Sequence, residues 1–258
     1  METRHQYRPE ELRLLARSGK FTGQTAGAAD GYVQANLAIM PREFAFDFLL
    51  FCQRNPRPCP LVEVLEPGLV APRCAPGADL RSDLPGYRIF RDGQLVDEVG
   101  DISTYWRDDL VSFLIGCSFS FEEALMRGGI RLRHVELGRN VAMYKTTLQC
   151  EPAGRFHGPM VVSMRPVLAA QVELARAITA AFPGSHGAPV HVGDPAALGI
   201  ADLSRPDYGD SVPVMAGEVP VFWACGVTPQ AVVLESKLPF CITHAPGKMF
   251  VSDRLATD

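Results

Sequence analysis

Imidazole, carboxylate and thiol side chains gather in the last third of the sequence, at His186, His191, Asp194, Cys225 and His244. Histidine exchanges a proton near neutral pH, so His186, His191 and His244, with Asp194, form a natural acid–base set. His244 leads it because it stands just past the apolar run 239–243. Cys225 also ends an apolar run, and Thr228-Pro229 behind it is a helix-start signal. A helix starting there would lower the thiol pKa and offer the amides of Gly226 to Gln230 to an anion. Cys117 stands in the same relation to Ser118 and Ser120. Arg165, and Arg139 beside Asn140, are candidates to clamp a substrate carboxylate through two parallel hydrogen bonds. Each residue also has a structural alternative: a thiol packed at a strand end, a histidine satisfied by backbone, a surface arginine, or a solvated turn at Pro206–Asp210. His186, His191 and Asp194 would also suit a divalent metal, but they lack the HExxH or HxH spacing and no metal site is assigned. No redox or nucleotide cofactor is predicted, for the chain has neither a GxGxxG nor a P-loop lysine pattern.

The elements that must position these residues can be read from periodicity. Residues 9–18 form a short helix that begins with Pro9 and stops at Gly19. The Gly/Ala/Thr-rich stretch 21–36 reads as a long ordered loop. Pro41 opens a second helix with Phe44, Phe48, Leu49 and Phe51 mostly on one face, and residues 61–65 form a strand after the prolines that end it. Two alternating runs flank Asp92-Gly93 as a hairpin. A helix is expected over 103–115, and Ser120 with Glu123 matches a capping box. Strands over 134–150 and 160–166, then a helix over 168–182, make a β-β-α group. It is read as a smaller subdomain, 131–186, inserted in a main domain of 1–130 and 187–258. In the last third the apolar runs 188–192, 219–225 and 239–243 each enter a Gly/Pro loop, as parallel strands buried on both faces do. Ligands of such sheets bind beyond the carboxyl ends of the strands. The expected fold is α/β, an open mixed or parallel sheet with flanking helices in three layers, plus a smaller two-layer α+β subdomain.

Composition narrows the function classes. With 47% hydrophobic and 21% charged residues, 258 residues can bury a full core and fold unaided. A net charge of −4 without a Lys/Arg cluster among aromatics argues against nucleic acid as a partner. No window approaches the roughly 20 apolar residues of a membrane span, and the charged N-terminus has no secretion-signal core. A soluble, cytoplasmic protein is therefore expected. Its seven cysteines include no CxxC, which excludes zinc-ribbon and thioredoxin-type readings and suits buried thiols in a reducing compartment.

Several segments together carry a family resemblance: Gly31–Asn36, Phe51–Pro56 with Cys59-Pro60, Gly116–Glu122, Val162–Pro166, His186–His191, Pro206–Asp210, Phe222–Gln230 and Ile242–Gly247. On these the chain resembles a provisionally named hydro-lyase family whose relatives include a mammalian D-glutamate cyclase. One departure is Ala142, where relatives tend to carry proline, a difference of loop stiffness more than of chemistry. The resemblance implies a lyase that cyclises D-glutamate to 5-oxo-D-proline with loss of water, or dehydrates a related small acid. Its partner would be a small acidic, glutamate-like substrate, and homo-oligomerisation is left open. Two other readings stay in play, a non-catalytic binder of small carboxylates and a metal-dependent hydrolase of a cyclic amide.

Overall fold

A computed structural model describes residues 6–257. In chain order the elements are α1 (Pro9–Arg17), β1 (Tyr32–Pro41), α2 (Arg42–Arg54), β2 (Leu61–Leu65), β3 (Tyr87–Arg91), β4 (Gln94–Val99), β5 (Leu110–Gly116), α3 (Phe119–Arg127), α4 (Arg133–Glu136), β6 (Ala142–Gln149), β7 (Pro159–Leu168), α5 (Val172–Ala180), β8 (His191–Val192), β9 (Glu218–Ala224), α6 (Val227–Glu235), β10 (Cys241–His244) and β11 (Phe250–Leu255). Two sheets result. One has the order β2-β5-β1-β10-β3-β4, with β11 also paired to β1, and the other is β6-β7-β9-β8.

The chain is α/β, as expected, but every strand pair among the described residues is antiparallel. The parallel option fails because a continuous apolar run reports burial on both faces and says nothing of neighbour direction. β1 shows this. Leu37 and Ile39 enter one core with Leu114 and Ile242, while Ala38 and Met40 enter another with Phe48, Phe51 and Phe113. The same double burial explains the failed helix over 103–115. Only a 3-10 turn forms at Ser103–Tyr105, and the apolar run beyond it is β5, a buried strand between β2 and β1. β1 itself begins inside the stretch read as loop.

Local signals that depend on few residues hold. Asp92 and Gly93 take φ of 50° and 78°, the left-handed pair of a tight hairpin turn between β3 and β4. On α2, Phe48 and Phe51 are buried, whereas Leu49 is 38% exposed and lies off the buried face. Segment 131–186 does not close on itself, because its strands β6 and β7 share a sheet with β9 and β8 from 191–224.

One construction occurs twice. In the first sheet β1 pairs with β5, Ala35 opposite Gly116, and in the second β7 pairs with β9, Val162 opposite Ala224. The Cys117 N–H donates to the Gln34 carbonyl and the Cys225 N–H to the Val161 carbonyl, both at 3.0 Å. Ser120 Oγ accepts the N–H of Gln34 and Thr228 Oγ1 that of Val161, both at 2.9 Å. Cys117–Ser120 and Cys225–Thr228 are thus structural counterparts, each the link from a strand to a helix. The halves also exchange strands, since β6, after α3, pairs with β7, and β10, after α6, pairs with β1.

Candidate active site

A cavity of about 190 Å³ lies where these two links meet. Its lining includes Cys117, Ser118 and Phe119 from the start of α3, and Cys225, Gly226, Val227 and Gln230 from the start of α6. Asn36 on β1, Arg88 on β3, His244 at the end of β10, and Asn140 and Tyr208 from loops complete the polar wall. Phe90, Val141, Met143 and Met249 supply apolar surface. Among the described residues the lining holds one cation, Arg88, and no carboxylate. The first turns of two helices also open on the cavity, and their amide ends favour negative charge.

The approach is close. A Cβ at Gly226 would sit 2.0 Å from Asn36 Nδ2, so only glycine lets β1 meet the start of α6. Arg88 reaches the site because β10 pairs with β3, Thr243 opposite Arg88. It is held by Glu98 at 2.9 Å.

His244 is buried, with Nδ1 accepting the Leu37 N–H at 3.1 Å. Gln230 lies against the ring, its amide nitrogen 2.7 Å from Nδ1 and 3.0 Å from Nε2. With Nδ1 engaged, the neutral ring carries its proton on Nε2. Burial pushes the pKa down to about 4, so the ring is neutral at pH 7. With Nδ1 occupied, the hydrogen the ring has to offer is Nε2–H, a donor.

Of the predicted residues, Cys117, Ser118, Asn140, Cys225, Gly226, Gln230 and His244 meet at the cavity. Ser120 and Thr228 lie behind it, each hydroxyl accepting a strand N–H; neither the Ser120–Glu123 capping box nor a Thr228 cap forms. Arg165 lies outside the cavity lining. It is fully buried, with Nη2 2.5 Å from Glu122 Oε1 and 3.0 Å from Ser118 Oγ, and Nη1 3.0 Å from Ser163 Oγ. Burial raises the Glu122 pKa, but His134 and Arg165 outweigh it and hold the carboxyl at about 2. Arg139 donates to the Ser211 carbonyl outside the cavity lining. Asp194 accepts the Ala196 N–H and caps a 3-10 turn, while His191 Nε2 meets the Asp194 carbonyl at 2.8 Å. His186 is buried with Nδ1 on the Arg57 carbonyl. Among the described residues these last three do not form a cluster that could hold a metal ion. Sequence reasoning missed Asn36 and Arg88. Asn36 had a signal, a polar side chain inside the apolar run ANLAIM; Arg88 had none.

The two buried histidines make a pH prediction. Burial also pushes His186 down to about 4. Both folded pKa values lie below the ordinary 6.5, so the unfolded chain binds more protons between these limits. Their stabilising contribution is whole above pH 6.5 and is lost as pH falls towards 4, about 3 kcal/mol for each ring. Thermal melting between about pH 7.5 and 4.5 should show Tm dropping below pH 6.5; a flat Tm would show that the rings are not held neutral.

The D-glutamate cyclase family profile matches residues 111–253, which include both strand-to-helix links and most of the cavity wall. The chain belongs to the D-glutamate cyclase family. A relative from Stutzerimonas stutzeri is 60% identical over 246 residues, covering 95% of this chain and 93% of its own. One from Bacillus pumilus is 59% identical (96% and 95%), and one from Corynebacterium urealyticum 57% (96% and 95%). All three are provisionally named hydro-lyases. A nitrogen repressor-like protein of Methanococcus jannaschii aligns at a TM-score of 0.39 with 10% identity over 92% of each chain. Among the described residues no helix is long and apolar enough to cross a membrane.

Proposed function

We propose that this cyclase-family chain closes D-glutamate on itself, forming 5-oxo-D-proline and water. The observation that carries the reading is a small cavity with Arg88, two helix starts, a neutral histidine donor and no carboxylate in its lining. The α-carboxylate rests on the amides at the start of α6, with Arg88 supplying opposite charge. The nitrogen attacks the γ-carboxyl carbon, and His244 Nε2–H donates to the oxygen on which negative charge builds. The C–N bond forms, one C–O bond breaks, and two protons shed by the ammonium group leave on the departing oxygen as water. Positioning supplies much of the rate, because both reacting groups belong to one bound molecule. Seven free, buried cysteines support a cytoplasmic setting.

The experiment is incubation of purified protein with D- or L-glutamate, followed by NMR. 5-Oxoproline should accumulate from the D isomer; no turnover of either isomer would overturn the proposal.

A further inference from the structure

The duplicated links place a thiol at the same position in each half, and both thiols line the one cavity. Cys117 follows β5 and Cys225 follows β9, so one comes from each sheet. The backbone N–H two residues on, of Phe119 and of Val227, favours each thiolate in turn. Neither forms a disulfide. The cyclisation uses neither thiol. Inversion of a carbon centre needs two proton-transfer groups, and the two links bring one thiol each to the shared cavity.

We propose that Cys117 and Cys225 are a two-sided proton-transfer pair that removes and returns the α-hydrogen of the bound acid, exchanging it with solvent and inverting the centre. The inference rests on the proposed function in one respect, that a glutamate-like acid occupies this cavity. One sulfur, as thiolate, takes the α-hydrogen as a proton; the C–H electron pair moves into the adjacent carboxylate, where the amides at the helix starts meet the added charge. The opposite thiol gives its proton to the other face of the carbon and becomes the thiolate. Nothing is oxidised or reduced, and one proton is returned for each removed.

The pair needs one thiol and one thiolate. Burial pushes Cys117 up to about 12 and Cys225 to about 11, while the Phe119 and Val227 amides act in the opposite sense. Arg165 favours both thiolates, and Glu122 and Cys225 oppose that of Cys117. His244, Arg88 and Tyr208 share the lining. The competent form is thus a minor one at neutral pH, and exchange should quicken about tenfold per pH unit between roughly pH 7 and 10.

The test is incubation of the whole chain in D2O with D-glutamate, L-glutamate, D-5-oxoproline or L-5-oxoproline as separate probes. NMR reads loss of the α-hydrogen signal and chiral chromatography reads inversion. Wild type should wash deuterium into the α position. Cys117→Ala and Cys225→Ala should each keep washout for one enantiomer, lose it for the other, show opposite preferences, and invert neither; a merely structural role would not split the enantiomers. Circular dichroism checks the fold, and Cys→Ser variants or the wild-type pH slope serve if alanine unfolds it. Wild type leaving the α-hydrogen in place with every probe overturns the pair, as do alanine variants that both exchange like wild type. 5-Oxoproline formed without washout refutes the pair and leaves the cyclisation standing. Washout without 5-oxoproline does the reverse.

Discussion

Replacing Arg165 with alanine should destabilise the folded chain by about 3–5 kcal/mol, the cost of breaking a buried ion pair from one side. Arg165 is 0% exposed and lies over Phe121 and Trp223, its guanidinium carbon 5.2 and 5.5 Å from the two ring centres. It is the cation of a closed cluster in which Glu122 also meets His134 at 3.0 Å. Removing the guanidinium strands the Glu122 carboxylate in the core with His134 as its remaining ionisable partner. Urea denaturation of Arg165→Ala, and of Arg165→Ala combined with Glu122→Gln, reads this directly. The single variant should be the less stable of the two, because the second change removes the stranded charge. A loss under about 1 kcal/mol for the single variant would mean that Arg165 and Glu122 are not the buried ion pair described. The sequence reading made Arg165 a clamp on substrate. The structure moves it one layer back, where it holds Ser118, which does line the cavity, at 3.0 Å.

His244→Ala should lower kcat for water loss by about 10²–10³, the usual cost of deleting one preorganised donor to a developing oxyanion. The pH profile separates a donor from a base. A ring with a pKa near 4 does not titrate between pH 6 and 8, so His244 should add no rise in rate through 6.5. A wild-type rise centred near 6.5 that His244→Gln abolishes would return the residue to the role of base.

Much of the site was legible because strand ends followed by Gly, Pro and hydroxyl residues mark where backbone amides turn outward. Ser118, Cys225, Gly226, Gln230 and His244 all follow from that. The rest depends on which strands pair. Arg88 sits on a hairpin that reads clearly by itself, but nothing in it shows that β10 will bring it beside His244. Sheet direction was illegible for a similar reason: doubly buried strands such as β1 and β5 look alike whichever way their neighbours run. The duplication was written in the sequence as CSFS at 117–120 and CGVT at 225–228, each after an apolar run, a pattern too short to distinguish until the paired hydrogen bonds of Ser120 and Thr228 give it meaning.

The most direct measurement uses D-glutamate carrying ¹⁸O at both γ-carboxyl oxygens, with mass spectrometry of the product. Intramolecular closure with loss of water predicts 5-oxo-D-proline that keeps one labelled oxygen while the other appears in water, with the yield collapsing in His244→Ala. Labelled glutamate recovered unchanged, or product without label, would contradict the account.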